Sequence, residues 1–201
     1  MKHLILYLSL FLLATGLSAQ TNQVKVVDAN DGARLMVNGK PMIINGMNWD
    51  YFPIGTNFNY SLWNQSDAIV RAALDTEMSL LQNMGVNAVR MYTGVPAKWI
   101  AYIYEKYGIH TMLNHSFGRY GLTIEGSWVA VTDYREPKTK ELLMSEAKKL
   151  AEEYKNTPGL LLYLLGNENN YGLFWAGAET EAFPEGEEQL RAVGEVRGSP
   201  M

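Results

Sequence analysis

Asn167 and Glu168 stand just past a short apolar run, Leu160–Leu165, in the segment GLLLYLLGNENNY at 159–171. A carboxyl group can give or take a proton, and a carboxamide can donate and accept hydrogen bonds at once. A pair of this kind at the C-terminal end of a buried parallel strand occupies the place where α/β barrels carry their chemistry. Arg90 lies in a second strand-like stretch, where a permanent cation needs a partner. His115 follows a third such stretch and could hydrogen-bond a polar ligand. Each has a plainer alternative: a loop pair capping the next helix, a salt bridge in a barrel floor and a structural histidine. No second His or carboxylate sits at ligand spacing with His115, so neither a metal site nor a cofactor is expected.

Trp49, Tyr51, Tyr92, Trp128 and Trp175 fall in turn-rich segments after the strand-like stretches. Aromatic planes of this kind can pack the apolar C–H faces of a sugar ring, or simply cover the mouth of a barrel. The 201 residues contain 17 Lys and Arg against 21 Asp and Glu, for a net charge of −4, with no basic block. Nucleic acid is therefore not an expected partner. An acidic chain rich in Trp and Tyr and without Cys suits a neutral polar ligand such as a carbohydrate. The absence of Cys also rules out disulfides and a lipid anchor on that residue.

Residues 1–20 read as a secretory signal peptide, with a basic start, an apolar stretch at 4–13 and small residues before cleavage after Ala19 or Gln20. The apolar stretch is too short to span a bilayer, so no stable membrane anchor is expected and a secreted or periplasmic location follows. Residues 21–41 read as a short β-hairpin, with turns at Asn30-Asp31-Gly32 and Asn38-Gly39. Residues 42–201 then alternate strand and helix. A first core strand runs from Met42 through Ile44 into Asn45-Gly46-Met47-Asn48. A helix with Ile69, Val70, Ala73, Leu74, Met78, Leu81 and Met84 on one face leads to a strand at 86–92. A helix opened by Pro96, with Trp99, Ile100, Ile103 and Tyr104 on one face, leads to a strand at 109–113. A long connection at 116–137 precedes a helix at 138–154, with Leu142, Leu143, Ala147, Leu150 and Ala151 inward. The fourth strand follows, then a weak helix near 185–196. Strict alternation predicts a parallel sheet with right-handed crossovers. No glycine-rich first turn marks a doubly wound sheet, so an α/β barrel is preferred.

Four segments in order resemble the catalytic (β/α)8 barrel of glycoside hydrolase clan A, and within it the family 2 type. They are Leu35-Met36-Val37-Asn38-Gly39-Lys40-Pro41 running to Ile44-Asn45-Gly46-Met47-Asn48; Met84-Gly85-Val86-Asn87-Ala88-Val89-Arg90-Met91-Tyr92; Tyr107-Gly108-Ile109; and Tyr154-Lys155-Asn156-Thr157-Pro158-Gly159 running to Leu165-Gly166-Asn167-Glu168. The resemblance covers the chain from about Ala33 onward. It implies a TIM-barrel fold, here reaching about the first four β/α units, and a retaining glycosidase acting on a poly- or oligosaccharide.

In such enzymes one carboxyl group protonates the leaving oxygen while another, about 5–5.5 Å away, attacks the anomeric carbon. The resemblance makes Glu168 the acid/base, Asn167 the partner of the sugar 2-hydroxyl, and Arg90 the cation beside the nucleophile. His115, Trp49, Tyr92 and Trp175 become candidate substrate contacts, and Trp99 a core residue. The family's nucleophile ends the seventh strand, so the chain is expected to be an N-terminal portion that is inactive alone. The alternatives are a non-catalytic carbohydrate-binding half barrel and a transglycosylase of the same clan. No residue pattern sets an oligomeric state.

Overall fold

The structure, a computed structural model, describes residues 22–30, 32–57 and 59–167. The expected signal peptide and helix near 185–196 lie outside these residues, as do Glu168 and Trp175. Strand β1 (Val24–Ala29) pairs antiparallel with β2 (Gly32–Val37), and β2 pairs with the two-residue β3 (Lys40–Pro41). Asn38 and Gly39 join β2 to β3 with φ of 51° and 77°. Two positive φ values in a two-residue loop define the turn whose twist matches that of the flanking strands.

Strands β4 (Gly46–Asn48), β5 (Ala88–Tyr92), β6 (His110–His115) and β9 (Leu160–Leu165) form a second sheet, parallel throughout. Its spatial order follows the chain without reversal. A doubly wound sheet reverses at a switch point, whereas a TIM barrel adds each strand on the same side of the last. Helices α1 (Asp67–Asn83), α2 (Ala97–Tyr107) and α3 (Pro137–Tyr154) connect successive strands. The architecture is therefore of the α/β TIM-barrel type.

The first barrel strand is shorter and later than the sequence predicts. Residues 42–45 are not strand, and Ile43 is 88% exposed. Asn45 and Asn87 direct their backbones there instead. Asn87 Oδ1 accepts from the Asn45 N–H at 2.9 Å, while its Nδ2 donates to the Ile43 carbonyl at 2.8 Å. Asn45 Nδ2 donates in turn to the Gly85 carbonyl at 2.7 Å. These side-chain bonds hold the segment in an irregular path before pairing begins. The long connection also contains an unexpected hairpin, β7 (Leu122–Ile124) and β8 (Ser127–Val129). Its turn residues, Glu125 and Gly126, again have positive φ.

The helices pack on the outer face of the parallel sheet. Val70, Leu74 and Met78 of α1 and Ile100 and Ile103 of α2 are wholly buried against Val89, Met91 and Leu113. Burying a side chain of this size contributes about 1.5–3 kcal/mol. Trp99 is core, as expected, but Ile69, Met84 and Ala151 are exposed at the margins of their helices. Gly159 lets β9 begin tight against α2, since a Cβ there would stand 2.2 Å from Tyr104 Cβ. The outer edge of β9 is less enclosed than a strand buried on both faces, and Leu165 is 51% exposed. Among the described residues, β9 is the last strand of its sheet.

The leading hairpin lies against the N-terminal ends of these strands. Val37 packs with Ala88 and Leu161, the latter left unpaired where the β6–β9 register shifts. Asn22 Nδ2 stands 3.3 Å from His110 Nδ1, and Asn38 Nδ2 donates to Asn22 Oδ1 at 3.0 Å. Burial lowers the His110 pKa, opposed by a hydrogen bond with the Gly159 backbone.

Two outcomes test this packing. Ile100→Ala is expected to lower unfolding free energy by about 2–5 kcal/mol in urea titrations, through lost burial and a residual cavity. His110 binds its proton more weakly when folded, so its contribution is complete above the unfolded value near 6.5. Stability is then lost as pH falls from there through the lower folded value. Denaturation midpoints at neutral and mildly acidic pH should show this loss, and His110→Asn should reduce it.

Candidate active site

The side chains of β5 alternate across the sheet. Val89 and Met91 turn to the helices, and Arg90 turns to the interior, near the C-terminal strand ends. Asn48 ends β4, Asn114 is the penultimate residue of β6, and Asn167 comes two residues after β9. Strand pairing therefore converges three carboxamides on one guanidinium. Asn114 Oδ1 accepts from both Arg90 Nε, at 2.7 Å, and Arg90 Nη2. Asn167 Oδ1 accepts from Nη2 at 2.6 Å, and Asn48 Oδ1 from Nη1 at 3.3 Å. The Tyr92 ring centroid lies 5.3 Å from the guanidinium carbon, a cation–π distance.

The acceptors are themselves held. Asn114 is fully buried, and its Nδ2 donates to the His115 carbonyl at 2.9 Å and the Gly166 carbonyl at 3.2 Å. Asn167 Nδ2 donates to the Tyr120 hydroxyl at 2.6 Å. Asn167 is thus clamped from both ends of its amide, one residue before Glu168.

A guanidinium remains charged at every relevant pH, and the partners described for Arg90 are neutral amides. The strand ends therefore present positive charge that would hold a nearby carboxyl group ionised. Among the described residues there is no group of three or more His, Cys, Asp or Glu able to hold a metal ion.

The structure brings Arg90, Asn167 and Tyr92 together, whereas Trp49 packs in the buried cluster under the helices with Met91. Trp49 and Tyr92 line one cavity of about 380 Å³, with Asp50, Tyr60 and Trp63 also on its wall. Trp49 is buried, packs on Tyr51 and Trp63, and its Nε1 finds no acceptor among the described residues. His115 is placed elsewhere. It is adjacent to Asn114 in a strand and so points to the opposite face, toward α3. Its Nδ1 accepts from the Phe117 N–H at 3.0 Å, and its Nε2 lies 3.6 Å from Glu146 Oε2. Glu125 and Asp133 form exposed ion pairs with Lys138 and Arg135.

The sequence alone assigns no role to Asn48, Asn114 or Tyr120. The recurrence of Asn near the ends of three strands was the available signal for the first two. Tyr120 comes from the connection before β7 and carried none. Asn114→Leu keeps the branched side-chain skeleton but removes the buried acceptor of a charged donor. A loss of about 1.5–3 kcal/mol in chemical denaturation is expected, with a much smaller loss for Asn48→Ala at the exposed end of the array.

The chain matches the family described as glycosyl hydrolases family 2, TIM barrel domain, over residues 27–182. Among solved structures it is similar to the Parabacteroides merdae beta-glucuronidase, with 17% identity and a TM-score of 0.52 over 87% of this chain and 20% of that one. It is also similar to Bacteroides uniformis beta-glucuronidase 3, with 15% identity and a TM-score of 0.50 over 88% of this chain and 20% of that one. At these identities the likeness is one of fold. This chain spans about a fifth of the length of either structure, given the 20% coverage of each. No curated protein matches it.

Proposed function

We propose that this chain, which belongs to glycosyl hydrolases family 2 through its TIM barrel domain, carries the acid/base side of a retaining glycosidase site. The observation that supports the reading is the Arg90 array, which fixes Asn167 at the strand ends immediately before Glu168. In this reading Glu168 protonates the leaving oxygen and later deprotonates the incoming water. Asn167 hydrogen-bonds the sugar 2-hydroxyl, strengthening as the ring approaches the oxocarbenium-like transition state. Arg90 keeps the attacking carboxylate ionised, and that carboxylate is supplied from outside the four described strands. The cavity lined by Trp49 and Tyr92 offers aromatic area to a sugar face. Trp175 is proposed as a further such contact. The leader-like residues 1–20 place the protein outside the cytoplasm in this proposal.

The cationic array also favours this reading over a purely carbohydrate-binding half barrel. A neutral sugar needs no permanent charge at the strand ends, whereas an ionised nucleophile does. Transfer to a second sugar would use the same residues and the same covalent intermediate.

Assays of the purified chain on aryl glycosides, with ligand-observed NMR of simple glycosides alongside, test the proposal. Glycoside binding is expected, weakened about tenfold by Asn167→Ala, a change of about 1.4 kcal/mol. Turnover by the chain alone is expected at background, because double displacement needs both carboxyl groups. Substantial turnover abolished by Glu168→Gln would place the second carboxylate within this chain. Turnover indifferent to Glu168→Gln would remove Glu168 from the mechanism.

A further inference from the structure

His115 faces away from the Arg90 array, yet its ring is bonded to a loop that returns to it. That loop, residues 116–121, joins β6 to β7 and carries Tyr120, whose hydroxyl accepts from Asn167 Nδ2 at 2.6 Å. It leaves β6 through Phe117, whose φ of 53° is a left-handed conformation that a residue with a Cβ resists. Side chains hold the loop there. His115 Nδ1 accepts from the Phe117 N–H at 3.0 Å, and the Tyr134 hydroxyl donates to the Phe117 carbonyl at 2.8 Å. Thr132 Oγ1 donates to the Gly118 carbonyl.

Of these bonds, the one to His115 depends on a proton. An imidazole nitrogen accepts only while it lacks hydrogen, so the ring in this bond is neutral and carries its hydrogen on Nε2. Protonation turns Nδ1 into a donor facing the Phe117 N–H, also a donor, and one of the two must give way. The ring is restrained from its far side, where Glu146 Oε2 lies 3.6 Å from Nε2. Lys149, Glu153 and Tyr154 of α3 complete the titratable groups around it, so two carboxyl groups oppose one ammonium. Thr93 and Pro96 on the opposite wall, and Leu165 beside it on β9, carry no charge. An imidazolium is drawn toward α3, and the Phe117 peptide yields instead of the ring.

We propose that His115 and Tyr120 are positioning residues for Asn167. Neutral His115 pins Phe117, the pinned loop presents the Tyr120 hydroxyl to Asn167, and protonation of His115 undoes both. Asn167 Nδ2 carries two hydrogens. The bond to Tyr120 takes one and thereby sets the direction of the other, the one suited to a sugar hydroxyl. The proposal rests on the glycosidase reading of the Arg90 site and adds its regulation, an Asn167 aligned for sugar while His115 is neutral.

The test is an NMR titration of the full chain between about pH 5 and pH 8. It follows the His115 ring, the Phe117 backbone amide and the Asn167 side-chain amide. All three are expected to move with one midpoint. In Tyr120→Phe the Phe117 signal should still follow His115 while the Asn167 signal stays level. His115→Asn offers the Phe117 N–H an oxygen that does not titrate, so both amides should stay level. Affinity for methyl β-D-glucopyranoside should fall about tenfold on acidification of the wild type and hold steady in His115→Asn. A Phe117 or Asn167 signal that ignores the His115 midpoint would overturn the proposal, as would a transition that persists in His115→Asn. Coupled signals with constant glycoside affinity would overturn the regulation. Coupled signals with no glycoside binding at any pH would uphold the positioning and count against the carbohydrate reading.

Discussion

A guanidinium cannot shed its charge, so a protein that turns one into a strand-end cavity must surround it with acceptors. The array around Arg90 meets this constraint with carboxamides, and in doing so connects separate parts of the sheet. Asn48 reaches in from β4, Asn114 from β6 and Asn167 from just beyond β9. Backbone ladders already join these strands, but a ladder leaves relative side-chain positions free. Convergence on one planar cation fixes them. The same bonds orient Asn167 and leave its other amide end to Tyr120.

Strand alternation decides what else can belong to this array. Residues one apart on a strand leave by opposite faces, so the pair Asn114-His115 serves two surfaces. Asn114 is drawn into the interior, while His115 is turned to α3 and Glu146. On β5, Val89 and Met91 build the core under the helices, and the residue between them is free to be Arg. Polar interior and apolar exterior are thus produced by the same five residues.

Much of the architecture was legible because its signals were local. Asn38-Gly39 announces a tight turn by residue type alone, and Gly108 ends α2 in the left-handed conformation expected of it. Strand and helix alternation identified a parallel sheet, and the run at Leu160–Leu165 was correctly a strand. What escaped depended on contacts between distant residues. The displacement of β4 to Gly46–Asn48 follows from hydrogen bonds of the Asn45 and Asn87 side-chain amides with each other's segments, which no periodicity registers. The β7–β8 hairpin has three-residue strands and a Glu-Gly turn, too short and too unusual a pattern to stand out. Arg90 and Asn167 were identifiable as candidates, but their direct bond joins residues 77 positions apart. The turning of His115 away from them needed the strand register.

The neutral character of the Arg90 partners has a separate consequence. Neither amides nor a guanidinium change their protonation state over the range in which living cells operate. The array therefore keeps one fixed electrostatic identity whether its surroundings are acidic or alkaline. It acts as a constant reference potential against which any carboxyl group brought to these strand ends must titrate.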